Sequence, residues 1–357
     1  MGAAGLPRGV IVLLGSACLV VLVAGMRGVA DIVGPVFLAL MLAVTASPIT
    51  GWLRARGAPV WVAATATIVT VYAGLFALGT ALAVSVSRLI ELLPQYQAQF
   101  TALRDDLVAT LSGFGIDAEQ LRGAVAGVEP GSFARLLEVL FGGLASALSN
   151  SVFVLAVLLF MCLDTVGFPA KLRTAGAERP EVIGALHSFA TGTRRYLLVT
   201  TVFGLIVAAF DTVLLWAMGI PLPLLWGLLS FITNYIPNVG FVIGLIPPAL
   251  LGLLQGGPDL MLWVIAVYCV VNFIIQSVIQ PKIVGDAVGL SATVSFLSLI
   301  FWAWVLGALG ALLAIPLTLL AKGLLIDVDP STRWLNGLLG GGSLPRDEVT
   351  GDGTAGR

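Results

Sequence analysis

Few residues in this 357-residue chain have side chains suited to catalysis, and their surroundings narrow the options further. There is one histidine, His187, in the same polar segment as Arg194 and Arg195. Histidine-based catalysis would have to use it, and a solvated side chain accounts for it equally well. The three cysteines, Cys18, Cys162 and Cys269, lie far apart within apolar runs. That spacing excludes a disulfide framework and a Cys/His metal cluster. The phosphate-binding pattern G-x-x-x-x-G-K-[ST] does not occur, nor does H-E-x-x-H, nor G-x-S-x-G on a strand-turn-helix. The chain therefore reads as neither a self-contained ATP-driven pump nor an enzyme, and no cofactor or resident metal is expected.

The remaining candidates are polar groups set inside apolar runs. Asp211 is a carboxylate within one of them, where an unpaired charge costs several kcal/mol. It must face the protein interior or water, be paired, or be protonated. A proton or cation site is one reading; a carboxylate that reaches the interface or caps a neighbouring helix is the other. Asn272, Gln276 and Gln280 follow at i, i+4 and i+8, on one face of a helix. Amides on one face hold helices together in lipid, and they also line polar paths. Asn234 and Asn238 flank Pro237, with Gly240 close behind; Gly307 and Gly310 interrupt a later apolar run.

The elements that must position these groups follow from composition. Charged residues make up 10% of the chain, against about 25% in a soluble domain. Hydrophobic residues reach 59% and the mean hydropathy is +1.05. No aqueous domain of this length hides so much apolar surface, so the expected fold is an all-α integral membrane protein. A net charge of −1 removes any nucleic-acid footprint.

Gaps between charges measure the spans. Those after Arg8, Asp31, Arg56, Glu138 and Asp259 each hold one crossing, which needs about 20 residues. The first resembles a secretory signal, but with further spans behind it an uncleaved helix is the better reading. A span after Arg195 must run through Asp211 to Met218. Two gaps, of 47 residues after Asp211 and 35 after Asp286, would make helices of about 70 and 50 Å against a core of about 30 Å. Each must fold back, the first near Asn234–Gly240 and the second near Gly307–Gly310. Seven to eight transmembrane spans result, two of them Gly/Pro-broken helical hairpins at 222–256 and 291–322. The chain divides into N-terminal spans (1–86), an extramembrane amphipathic helical segment (87–143), a core carrying both hairpins (144–323) and a Gly-rich tail expected to be disordered (324–357).

Basic residues cluster in the 51–59 loop (Arg54, Arg56) and in 164–195 (Lys171, Arg173, Arg179, Arg194, Arg195), so that side is cytoplasmic, with both termini. Segment 87–143 then lies outside. There Leu89, Leu93, Tyr96, Phe100, Leu103 and Leu107 form a stripe at helical spacing, with Pro94 within it and a second short helix expected around 133–140. The stripe covers membrane, its own protein or a second subunit; the last would make a homo-oligomer.

The two overlong segments also resemble each other: Gly244-Leu245-Ile246-Pro247 and Gly310-Ala311-Leu312-Leu313-Ala314-Ile315-Pro316 each lead into leucines. Paired, interrupted apolar segments point to a transporter binding site. Together with Tyr235-Ile236-Pro237-Asn238-Val239-Gly240, Ile246-Pro247-Pro248, Gln280-Pro281-Lys282-Ile283-Val284-Gly285 and Pro48-Ile49-Thr50-Gly51-Trp52-Leu53, they make the chain resemble the autoinducer-2 exporter family over about residues 8–325. The resemblance implies a multi-pass protein of the bacterial inner membrane that moves small solutes, autoinducer-2 for some members and sodium or lithium against protons for others. Relatives often carry an acidic residue in the span before the Gln-Pro-Lys motif, where this chain has Asn272 and Gln276. Three functions follow in order: a secondary transporter or export facilitator for a small polar solute, a cation/proton antiporter using Asp211, and a non-transporting membrane scaffold. The substrate path would comprise Asn234, Pro237, Asn238, Gly240, Asn272, Gln276, Gln280, Gly307 and Gly310.

Overall fold

The computed structural model describes residues 7–113, 151–164, 178–237, 239–280, 289–329 and 332–339, with isolated positions between 131 and 176. All regular structure among them is helical. Five stretches of helix are long and apolar enough to cross a bilayer, and the protein is an all-α membrane protein. In chain order the helices are α1 (Arg8–Gly28), α2 (Ala30–Ala55), α3 (Val60–Leu92), α4 (Gln97–Ser112), α5 (Ser151–Asp164), α6 (Pro180–Ala217), α7 (Pro223–Thr233), α8 (Gly240–Asn272), α9 (Ala292–Leu312), α10 (Ala314–Lys322) and the short α11 (Asn336–Leu339).

α6 is the spine. Its 38 residues span about 57 Å, far more than a bilayer core needs. Residues 180–195, read from sequence as part of a loop, are instead its first four turns, begun by Pro180 at the N1 position where a missing N–H costs nothing.

Both overlong segments fold back on themselves. In the first, α7 descends from a turn containing Gly219 (φ 75°) and Leu222 (φ 55°). It ends at Thr233, and the chain reverses through residues 234–239 into α8. Gly240 makes the reversal possible by close approach, since a Cβ there would lie 1.8 Å from the Thr233 carbonyl oxygen. The ascending arm stops at Gly256 and Gly257, the latter at φ 72°, and α8 then turns back as a full-length span. In the second hairpin α9 breaks at Gly307 (φ 66°, ψ −144°), which only glycine adopts readily. Gly310 repeats the close approach, its Cβ position lying 1.9 Å from the Trp302 carbonyl oxygen.

Measured along α6, the hairpins enter from opposite ends. The base of the first lies at the end of α6, where Gln255 donates to the Gly219 carbonyl at 3.0 Å, and its tip reaches back to Thr200. The base of the second lies at the beginning, with Leu319 facing Gly192 and Gly323 facing Ala185, and its tip extends to Gly34 near the start of α2.

Burial follows this layout. One apolar cluster joins the first hairpin (Leu225, Trp226, Leu251, Leu254) to Leu82 and Leu89 of α3 and Phe100 of α4. A second joins the other hairpin (Leu299, Trp302, Leu313, Leu317) to Phe37 and Met41 of α2 and to Phe189 and Leu197 of α6. The amphipathic stripe therefore has an occupant within its own chain. Leu89 and Phe100 are buried, with Tyr96 and Leu103 packed beside them, and Pro94 turns the chain through a short 3-10 segment between α3 and α4. The side chains of Leu93 and Leu107 and the helix expected around 133–140 lie outside the described residues. The stripe's apolar surface thus gives no reason to expect a second subunit there.

The tail departs from expectation. It continues in helical turns through Leu339: Lys322 contacts Asp327 at 3.3 Å, Asn336 donates to Asp327 at 3.0 Å, and the Ser291 N–H donates to the Leu339 carbonyl at 2.8 Å. Hydrogen bonds to a neighbouring element hold residues that composition alone marks as loose. Positions 340–357 lie outside the described residues.

Candidate functional site

The first hairpin tip brings Asn234 into one chain of hydrogen bonds with two amides about 40 residues away in sequence, Asn272 and Gln276. The Asn234 amide nitrogen donates to the Thr200 carbonyl at 3.2 Å, crossing to α6. Gln276 donates from one nitrogen to Asn234 Oδ1 at 3.0 Å and to Asn272 Oδ1 at 2.7 Å. Asn272, buried, donates in turn to the Tyr268 carbonyl at 2.8 Å. Both Gln276 protons are consumed, which leaves its Oε1 as an acceptor at the edge of the network.

Local structure explains why these groups meet. Gly204 on α6 removes a side chain where Asn234 must pass; a Cβ there would sit 2.9 Å from the Asn234 nitrogen. Higher up, Gly227 of α7 does the same for Thr212, whose hydroxyl would be 1.9 Å from an added Cβ. Small residues thus let α6 and α7 approach at backbone distance, as helices in lipid do when packing rather than hydrophobicity must hold them. Behind Asn234, the buried Tyr196 donates its hydroxyl to the Tyr235 carbonyl at 3.0 Å, and Tyr235 and Thr201 pair through their hydroxyls at 2.6 Å. One freed carbonyl of the tip, that of Tyr235, is in this way satisfied by α6, while the N–H groups of Tyr235, Ile236 and Gly240 pair within the turn, as a broken helix at membrane depth requires.

Helix α8 passes into a π-helical segment, Phe273–Ile279, immediately after Asn272. A π turn inserts one residue, worth about 100° of rotation, and such turns gather at functional sites. It carries Gln276 toward Asn234 and also disrupts the expected single amide face. Gln280, half-buried beyond the π segment, makes no hydrogen bond to the cluster among the described residues. Alongside Asn272 and Gln276 lies a cavity of about 730 Å³, lined also by Phe241, Cys269, Phe273 and Ser277. It is an open groove: its walls are mostly apolar, Phe273, Ile274 and Ser277 are exposed, and its polar groups are those of Asn272, Gln276 and Ser277.

The other expected positions fall elsewhere. Pro237 sits in the tip turn and Gly240 closes it, whereas Asn238 lies outside the described residues, as do 281–288 of the Gln-Pro-Lys motif. Gly307 and Gly310 shape the second hairpin: Gly307 through its positive φ, and Gly310 through its close approach to Trp302 and Leu306 of α9. That hairpin's apolar cluster packs against Tyr235, Ile236 and Val239 of the first tip, so the two hairpins adjoin through side chains. Asp211 lies along α6 about 16 Å from Thr200 and stands apart from this cluster. The α6 residues Tyr196, Thr200, Thr201 and Gly204 were not singled out from sequence. The signal available was Tyr196, Thr200 and Gly204 at four-residue spacing just after Arg195.

Comparison with known proteins decides the family. The model of the AI-2E family transporters matches residues 16–328. The chain belongs to the AI-2E family. Among relatives of Escherichia coli strain K12, the AI-2 transport protein TqsA is 33% identical over 319 residues, covering 88% of this chain and 90% of TqsA. YhhT, named as a candidate transport protein, is 32% identical over 315 residues with the same coverage. A candidate transport protein of Haemophilus influenzae is 28% identical over 333 residues, covering 92% of this chain and 95% of its own length. AI-2E membership makes this chain a member of a transporter family.

Proposed function

We propose that this AI-2E family protein moves a small polar organic solute across the bacterial inner membrane, as a secondary transporter or export facilitator, and that the solute binds beside the first hairpin tip. The observation that carries the reading is the amide chain Thr200–Asn234–Gln276–Asn272 standing against the cavity of about 730 Å³. The Gln276 Oε1 acceptor, which makes no hydrogen bond among the described residues, and the Ser277 hydroxyl suit a solute that donates hydrogen bonds, such as a polyol. Because TqsA is named for AI-2 transport, AI-2 is the first solute to test.

In this reading the end of α6 that carries Arg194 and Arg195 faces the cytoplasm, with both chain termini. The first hairpin then enters from outside and its tip stands toward the inner end, one turn or so from Arg195. Cysteine placed at Gln97 should react with an impermeant reagent from outside, and cysteine at Ala177 only from inside. The protein also functions as a homo-oligomer in this reading, through faces other than the α4 stripe.

The deciding experiment is efflux of labelled AI-2 from proteoliposomes, with unlabelled polyols as competitors. Wild-type protein should accelerate release, and Gln276→Leu should abolish the acceleration while the protein stays monodisperse. Equal efflux by both proteins would remove the amide cluster from the solute path.

A further inference from the structure

The strap that follows the second hairpin, residues 323–339, is built inside out. Its polar groups gather inward on one carboxylate. Lys322, at the end of α10, reaches both oxygens of Asp327 at 3.3 Å, and Asn336 donates to Asp327 Oδ1 at 3.0 Å while its own amide oxygen is buried. The Thr332 hydroxyl stays within the strap, 2.9 Å from the Asp329 carbonyl and 3.0 Å from that of Ile326. The large apolar side chains turn the other way. Trp334 and Leu338 are each 68% exposed, and Leu324 and Leu325 are exposed as well. Trp334 and Leu338 stand four residues apart in consecutive helical turns, Arg333–Leu335 and Asn336–Leu339, which sets them on one face. A segment bathed in water folds with the opposite polarity, so an apolar partner belongs on the outside.

Neighbouring elements say which partner. Gly323 packs against Ala185 and Phe189 near the beginning of α6, and the Leu339 carbonyl accepts from the N–H of Ser291, the N-cap of α9. The strap thus joins the last turn of the descending arm to the first turn of the ascending arm. Exposed Phe296 and Leu297 of α9 follow Ser291 by only about 8–9 Å along the helix axis, so the strap meets the lipid-facing surface where that surface starts. The hairpin tip lies at Gly34, early in α2, and its base therefore lies toward the later part of α2. There Trp52 is exposed and carries the Arg56 guanidinium 3.4 Å over its ring. Tryptophans beside basic residues mark the level at which spans leave the hydrocarbon. Trp334 belongs to the same belt, its ring apolar on one side and able to donate from the other.

We propose that residues 323–339 form an interfacial anchor, seated in the headgroup–acyl boundary of one phospholipid leaflet through Leu325, Trp334 and Leu338. The formal charges of Lys322 and Arg333 cancel those of Asp327 and Asp329, so apolar burial holds the anchor and anionic lipid is not required. Because the strap clasps both arms of the second hairpin, the leaflet fixes the depth of that hairpin's base. The anchor is independent of the solute reading above.

The test is tryptophan fluorescence of the full-length protein in phosphatidylcholine nanodiscs, where subtracting the Trp334→Phe variant from wild type isolates the emission of Trp334. Lipids brominated near the headgroup end of their chains should quench that difference signal about twofold, as expected of a ring at the boundary. Lipids brominated near the chain ends should quench it less, and aqueous iodide hardly at all. Adding phosphatidylglycerol or high salt should change none of this. Should Trp334→Phe fail to fold, a nitroxide on Leu338→Cys, with Cys18 and Cys269 replaced by Ala, serves instead; it should be more accessible to oxygen than to a water-soluble nickel chelate. Quenching by iodide and not by brominated lipid would place the face in water, as a docking surface for a soluble protein must be. Resistance to both quenchers would mean that a second copy of the chain covers it. Either result overturns the anchor, and a requirement for phosphatidylglycerol would overturn its apolar basis.

Discussion

The two hairpins share one construction and differ in what they hold. Each turns on a glycine whose Cβ would fall within 2 Å of a backbone carbonyl on the opposite arm, Gly240 against Thr233 and Gly310 against Trp302. Around that common turn the polar chemistry is distributed in opposite ways. In the second hairpin it closes on itself: Ser298 donates to the Ala314 carbonyl at 3.0 Å, Ser298 pairs with Thr318, and Trp302 donates to Thr318 at 3.0 Å. In the first it reaches outward, from Asn234 to α6 and from Gln276 into the tip. A hairpin whose hydrogen bonds are internal is a packed unit that can move or stay as a body. One whose bonds cross to other helices depends on them, and can exchange those bonds with a solute.

The largest expected effect tests what the hairpins share. Gly240→Ala and Gly310→Ala should each abolish folded, monodisperse protein in detergent extracts, because the clash is with backbone that cannot rotate away. Gly15→Ala, with nothing within 4 Å of its Cβ position, should express as wild type in the same size-exclusion assay. Survival of one turn variant and not the other would break the equivalence. This clash also rules out Gly240→Leu as a clean probe of transport.

Next in size is Phe100→Ala. Phe100 belongs to the apolar cluster of the first hairpin and not to that of the second, so about 3–5 kcal/mol should be lost on the first side alone. Limited proteolysis should then release fragments cut near residues 218–222 or 256–257 before any cut near Gly307. An unchanged digest combined with a smaller particle mass would return the α4 stripe to a subunit interface.

A smaller and more discriminating contrast pairs Asn272→Leu with Thr318→Val. The first should eliminate efflux with little change in Tm. The second should cost about 1–2 kcal/mol, read as a lower Tm, with efflux preserved, because its partners lie within one hairpin. Reversed outcomes would assign the solute path to the second hairpin. Smallest of all, His187→Ala should alter neither quantity, since His187 is exposed on the first turns of α6.

Much of this comparison was legible in the residues. Both fold-backs were placed by arithmetic, since 47 and 35 uncharged residues cannot lie straight across a bilayer, and glycine and proline marked the turns. That Asn234, Asn272 and Gln276 belong together was visible only as a shared polarity. The π segment after Asn272 was invisible, because a one-residue insertion in hydrogen-bond register leaves composition and periodicity almost unchanged over seven residues. The ordered turns through Leu339 were missed for a related reason: they were read together with the Gly-rich run that follows, yet Asn336 bonds to Asp327 and the Leu339 carbonyl accepts from the Ser291 N–H.

By itself, then, the sequence determined the solvent, the helical class, the two reversals and their glycines, all of which depend on residues within a turn or two of one another. Tertiary structure decided the rest. Asn234 meets Thr200 across 34 residues and Gln276 across 42, and α7 touches α6 at Thr212 where Gly227 lacks a side chain. Hydropathy acts on each segment separately and fixes its length and depth. Which polar group faces which depends on helix rotation and close approach, set jointly by every pair of packed helices and written in no single one of them.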